Sequence, residues 1–393
     1  MTIAKFVCQK IIAGWFGVGV LLGSWQNVAF ALPSRPLFPK PLPVNVQATE
    51  HFCELTAQPS DRSLLLGAVD HSLRYLQTPK AIADYRRYSV PGITHDLVYR
   101  SLKRFRELVR TCKNNANLQR VIQQEFVLLQ ATGKDGKGTV AFTGYFEPVH
   151  RASRVQTSQY RYPLYRLPAD LATWSQPHPT RLQLEGVDGL QGRQGRLKGL
   201  ELVWLRDRLE AFLIQVQGSS RLQLTDGSTM TLGFAGHTHY PYTGIGRELV
   251  KDGKLRQEDL TLSALQAYFE RNPQDLSKYL PRNQRFVFFR ETGGAPATGS
   301  LGVPVTAERS IATDKTQFPP GALALMQVQI PSPNSSGNLE QRLNSRYVLD
   351  QDTGGAIIGP GRVDIFMGTG ISAGARAGLI NSTGQLYYLL LKK

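Results

Sequence analysis

The chain has 393 residues, an apolar fraction of 41%, a charged fraction of 19% and a formal net charge of +16. That balance excludes a disordered polyelectrolyte and leaves room for two domains with a sizeable core. The positive excess favours anionic partners, but the basic residues are scattered singly, without a dense run or an aromatic-interleaved patch, which argues against nucleic acid.

Residues 1–31 read as an export signal. Lys5 and Lys10 give a basic start, Ile11–Gly23 is a short apolar run, and Ala29-Phe30-Ala31 is a small-x-small cleavage site. The apolar run is short for a membrane span, and Cys8 precedes it, so no lipidatable cysteine follows the signal. The mature chain is expected to be exported. Its remaining cysteines, Cys53 and Cys112, are an even pair in an oxidising compartment, either bridged or left as two buried thiols.

Residues 32–50 carry Pro33, Pro36, Pro39, Pro41 and Pro43 and read as an extended linker. Thr94–Cys112 reads as a helix capped by Thr94, and Leu118–Gln130 as a second helix with Leu118, Ile122, Phe126 and Leu129 on one face. Thr139–Phe146 switches to period two, and Pro148 ends that strand with Glu147 at its end. From Tyr160 to Phe234 short strands are expected at Tyr162–Arg166, Gly199–Leu205, Phe212–Gln217, Arg221–Leu224 and Thr229–Phe234, a compact β-unit. Gln215–Ser220 and Tyr240–Arg247 gather amides, rings and glycines, a composition suited to stacking on sugars. His237-Thr238-His239 has no third ligand at a recognisable spacing, so no metal is expected. Thr261–Asn272 is a further helix, Gln284–Arg290 a buried strand, and the remainder is β-rich and glycine-rich.

The chemistry concentrates in Gln351–Gly370. Arg362–Met367 alternates like a strand, placing Val363, Ile365 and Met367 on one face and Arg362, Asp364 and Phe366 on the other. A carboxyl beside apolar groups is pushed toward its neutral form, which is what a general acid requires. Gly354, Gly355, Gly359 and Gly361 allow close backbone approach or positive φ around it. The alternative is that Asp352 and Asp364 are ordinary loop residues.

Six blocks in one order, Gly144–Pro148, Gln215–Ser219, Pro241–Arg247, Phe286–Arg290, Gly302–Asp314 and Gln351–Gly370, resemble the membrane-bound lytic transglycosylase A family of murein-cleaving enzymes. The resemblance runs from about Leu65 to the C-terminus and ends in a module named for three aspartates, which fall on Asp314, Asp352 and Asp364. It implies a mainly β fold with flanking helices: a double-psi β-barrel formed by residues 51–155 and 285–393, and an inserted β-rich domain at 156–284. It implies Asp364 as the single catalytic acid/base, with Asp352 and Asp314 as supporting carboxylates. Substrate contacts would fall on Tyr145, Glu147, Gln215, Gln217, Gly218, Ser219, Tyr242, Arg247, Gly354, Gly355 and Phe366. No cofactor is implied. The expected partner is the peptidoglycan glycan strand, with envelope or wall-synthesis proteins as further partners, and the expected state is a monomer at the periplasm or outer membrane.

The resemblance also implies the chemistry: non-hydrolytic cleavage between N-acetylmuramic acid and N-acetylglucosamine, leaving a 1,6-anhydro end. Two departures mark the substrate-contacting segments, where Thr238-His239 and Ser220 stand in place of the family's usual Asn-Gly and final glycine. The rival enzyme readings are an inverting hydrolase using Asp364 and Asp352, and an aspartic protease suggested by Asp352-Thr353-Gly354. The latter lacks the second Asp-Thr-Gly that such enzymes need. A non-catalytic wall-binding protein is the remaining alternative.

Overall fold

The computed structural model describes residues 36–40, 53 and 59–392. The export signal lies outside the described residues. In chain order the described part opens with β1 (Leu37–Lys40), followed by α1 (Pro59–Leu76), α2 (Pro79–Arg87), α3 (His95–Thr111) and α4 (Asn115–Glu125). Strands β2 (Phe126–Ala131), β3 (Val140–Glu147), β4 (Val149–Ser153) and β5 (Tyr162–Tyr165) come next, then α5 (Arg181–Glu185) and β6 (Glu201–Leu205). After α6 (Arg208–Gln217) come β7 (Ser219–Leu224), β8 (Thr229–His237), α7 (Ile245–Lys251), α8 (Leu262–Arg271), α9 (Leu276–Tyr279) and β9 (Val287–Glu291). The last part holds β10 (Ser310–Ala312), β11 (Leu323–Pro333), β12 (Leu339–Asp352), β13 (Arg362–Thr369), α10 (Ile371–Gly378) and β14 (Asn381–Leu391).

Six strands close on themselves in the order β3, β14, β11, β12, β10, β13 and back to β3. The β13–β3 and β10–β12 pairs are parallel and the rest antiparallel. Closure comes from β14, which pairs with β3 over Asn381–Gly384 and with β2 over Tyr387–Leu391. Closing the ring pairs each of its six strands on both sides, while among the described residues β1 remains a free edge beyond β2. Val363 and Ile365 from β13, Phe142 from β3 and Leu349 from β12 are fully buried within one core. Helix α3 covers this core with Val98, Leu102, Phe105 and Val109, a four-three-four spacing that keeps one face inward. Burying each such side chain contributes about 1.5–3 kcal/mol.

A second sheet runs β5, β6, β4, β7, β8, β9. Helix α6 lies over it, turning Ala211 and Ile214 to the sheet and Leu209 and Phe212 to Ile245, Leu249, Leu265 and Phe269. Chain passes from the barrel to this sheet across the single residue Pro148, between β3 and β4.

Three sequence expectations are corrected here. Phe212–Gln217 is not a strand but the body of α6: Phe212, Ile214 and Val216 mimic period two, yet the Asp207 carboxylate caps Glu210 N–H at 2.9 Å and Gly218 closes the helix at φ +78. The second helix does not continue to Gln130; α4 stops at Glu125, and Phe126–Ala131 pairs with β14. Within the proline-rich segment, Leu37–Lys40 pairs with β2 as an edge strand, where Pro39 is tolerated at the rim. In addition, β4 and β9, which the boundaries at 155 and 285 assign to the barrel, hydrogen-bond in the second sheet. Cys53 and Cys112 are joined by a disulfide.

Candidate active site

Asp364 stands at the middle of β13, paired to Thr143 of β3 on one side and Ala312 of β10 on the other. Its strand neighbours Val363 and Ile365 point into the barrel core, so alternation turns Asp364 outward with Arg362 and Phe366. The register sets Phe366 beside Tyr145, whose rings lie 5.2 Å apart. Asp364 Oδ1 is shielded from solvent and has no hydrogen-bond partner among the described residues. Burial pushes this carboxyl up to about 6; the Arg362 guanidinium pulls it down and the Asp352 charge lifts it further.

Asp352 ends β12, where the ladder with β10 is irregular: Ile311 faces Asp350 and Ala312 faces Asp352, leaving Gln351 as an extra residue. Burial raises the Asp352 carboxyl, while three donors pull against that: Ser300 N–H at 2.7 Å, Thr353 N–H at 2.8 Å and Tyr145 O–H at 2.9 Å. Gln351 is buried, accepting from Ser310 Oγ and donating to Ala68 O and Ser72 Oγ on α1. Asp314 accepts from Thr316 N–H at 2.9 Å and from Gly359 N–H at 2.7 Å, so it ties the 353–361 loop to the segment after β10. Its carboxylate is a brace.

A further acid escaped the sequence reading. Asp350 is fully buried and bonded by Lys315 Nζ, Tyr388 O–H (2.6 Å) and Thr313 O–H (2.7 Å). Lys315 also donates to the backbone carbonyl of Asp352, so one ammonium ties the segment after β10 to the end of β12.

The remaining expected contacts divide. Tyr242, in the β8–α7 connection, feels the charges of Asp364 and Arg362, so it belongs to this constellation. Gly355 lies against it: a methyl there would sit 3.2 Å from Tyr242 Cβ and 2.1 Å from Arg285 Nη1. Gly354 is exposed, and Gly361 is pinned by Lys134, whose amide nitrogen a methyl would meet at 2.5 Å. Among the four glycines that were expected to free the backbone, Gly359 takes positive φ. Arg247 is exposed on α7 beside Gly244. Gln217 accepts the Phe146 N–H at 3.1 Å and thereby joins α6 to β3. Gly218 and Ser219 form the turn from α6 to β7.

Two others are turned inward. Gln215 is buried, accepting from Arg181 Nη2 and Val287 N–H. Glu147 is buried against Thr369 O–H (2.8 Å) and Arg221 (3.6 Å). Both brace the walls. His239 stacks on His178 at 4.2 Å. Among the described residues no group of three or more His, Cys, Asp and Glu side chains is arranged to hold a metal ion.

The profile of the MltA specific insert domain matches residues 141–290, and that of the 3D domain matches residues 309–390. Membrane-bound lytic murein transglycosylase A of Escherichia coli is 31% identical over 262 residues, covering 66% of this chain and 68% of that protein. A crystal structure of membrane-bound lytic murein transglycosylase from Agrobacterium tumefaciens superposes with a TM-score of 0.68 at 25% identity, covering 84% of this chain and 93% of that one. The fold of E. coli MltA with bound chitohexaose matches at a TM-score of 0.65 and 24% identity, over 88% of this chain and 96% of that one. The chain thus belongs to the MltA family of lytic murein transglycosylases.

Proposed function

We propose that the protein cleaves the β-1,4 bond between N-acetylmuramic acid and N-acetylglucosamine in peptidoglycan without water, with Asp364 as the single acid/base. The observation that carries this reading is the contrast between the two site carboxylates. Asp364 Oδ1 is enclosed, without a protein partner, and raised to about 6, whereas Asp352 is held by three donors. A protonated Asp364 gives its proton to the glycosidic oxygen as the bond to C1 breaks and positive charge develops on the sugar ring. The resulting carboxylate takes the proton of the C6 hydroxyl as O6 closes on C1, which returns Asp364 to its starting state. The internal nucleophile supplies proximity that a hydrolase must obtain by positioning water, so one carboxyl suffices.

Tyr145 and Phe366 form an aromatic wall beside Asp364, and Tyr242 approaches from the β8–α7 connection, an arrangement suited to a pyranose chain lying between the two parts. The reading includes the double-psi topology for the closed six-stranded barrel and a discontinuous barrel domain around an inserted β-unit. It also holds that the protein acts in the cell envelope, as the name of its membrane-bound relatives suggests, and that it is a monomer. The competing enzyme reading has support in one relationship: Asp352 and Asp364 both pair with Ala312, from opposite edges of β10, so the two acids stand on strands either side of one rung, as an acid and a base on a hydrolase would. Mass spectrometry of products released from purified sacculi decides. Anhydro-muramyl ends are expected; reducing ends would replace the transglycosylase with an inverting hydrolase.

A further inference from the structure

Three guanidiniums converge on Tyr242 without forming an ion pair with any carboxylate among the described residues: Arg247, Arg285 and Arg362. Arg362 is bonded to Thr143 Oγ1 at 3.2 Å and belongs to the acid's own strand. The other two bracket the tyrosine. Arg285 Nε donates to the Tyr240 carbonyl at 2.7 Å, which fixes the side chain and leaves its terminal nitrogens facing Gly355. On the opposite flank, a methyl on Gly244 would lie 3.3 Å from Arg247 Nε and 3.6 Å from the Tyr242 ring. Glycine at 244 and 355 thus keeps both guanidiniums uncovered.

Such an arrangement is costly by itself. Arg285 is partly buried, and desolvation disfavours its charge. That cost is removed if a ligand anion neutralises the arginines. The planar fork of arginine matches a carboxylate with two parallel hydrogen bonds.

We propose that Arg247 and Arg285 form an anion subsite around Tyr242 that takes a carboxylate carried by the muramyl residue, from its lactyl group or from its peptide. This rests on the transglycosylase reading and adds to it a reason for preferring muramyl glycan over neutral chitin.

The test measures binding by calorimetry to full-length Asp364→Asn protein, which holds substrate without turning it over. Three glycans of equal length serve as probes: chitohexaose, a muramyl glycan stripped of peptide, and the same glycan with peptides attached. The expected result is a preference of about tenfold or more for a charged glycan over chitohexaose, the size of one charge-assisted pairing. Preference for the stripped glycan assigns the lactyl carboxylate; preference for the peptide-bearing glycan alone assigns a peptide carboxylate. Adding Arg247→Gln, at an exposed position that leaves packing intact, should lower that preference at least threefold. Arg285→Lys, which keeps the charge and loses the fork, should lower it less than Arg285→Gln. A preference that is absent, or that persists in Arg247→Gln, overturns the subsite while leaving the function intact. Failure of all three glycans to bind sinks the proposed function itself.

Discussion

Asp352 and Asp364 flank the same residue, Ala312, one from each edge of β10. Two strand spacings put their backbones roughly 10 Å apart, and protein donors satisfy only Asp352. Replacing Asp364 by Asn should therefore abolish turnover without harming the fold. The expected loss of soluble muropeptide release is at least about a hundredfold, the scale of general acid catalysis.

The same substitution should stabilise the protein. A carboxyl raised from 3.8 to about 6 lowers stability as pH climbs through that window, because the unfolded chain ionises first. Above pH 6 the penalty is complete, so Asp364→Asn should gain about 1–3 kcal/mol at neutral pH. Thermal melts of both proteins at pH 4 and pH 7.5 measure this; the gain should shrink at the lower pH.

Activity should respond to the same titration in the same direction. The acid must be protonated in the free enzyme, so kcat/KM should fall on the alkaline side with an apparent pKa near 6. A profile on a soluble glycan that stays flat to pH 8 would remove Asp364 from the acid's role.

Tyr145→Phe tests the supporting carboxylate. It deletes the hydroxyl donor to Asp352 Oδ2 but keeps the ring that packs on Phe366. A loss of about 1 kcal/mol in stability is expected, with turnover reduced several-fold. Asp352→Asn should be more damaging to turnover while remaining folded, as circular dichroism can show.

Lys315→Met should be worse for folding than any change at Asp364. It leaves Asp350 buried with hydroxyl partners and no cation, and loss of one partner of a buried pair costs about 3–5 kcal/mol. Chemical denaturation checks this, and the double change Lys315→Met with Asp350→Asn should recover part of the loss. By contrast, Cys112→Ser removes a bridge across a sequence separation of 59, for which the chain-entropy argument gives about 4 kcal/mol, and should leave activity at low temperature intact.

The parts of this architecture legible from sequence are those where local pattern and tertiary role agree. Arg362–Met367 alternates, and Val363, Ile365 and Met367 belong to the barrel core. Thr94 caps α3 by accepting from Leu97 N–H, as its position before an apolar stripe suggests. Phe212–Gln217 misleads because a short apolar run fits both periods, and only the cap at Asp207 and the left-handed Gly218 decide. Lys315 and Asp350 are 35 residues apart and meet only when β10 and β12 pair, so nothing local announces them. Arg285 and Arg247 likewise acquire meaning only once the 242 and 355 segments come together.

The irregular rung at Gln351 carries a lesson for anyone transplanting this chemistry. That one surplus residue turns its amide under α1 and leaves Asp352 aimed at Tyr145. A barrel rebuilt with a faultless ladder would carry identical acids and point one of them somewhere else. Copying the aspartates without the flaw in the weave would reproduce the composition of the site and lose its aim.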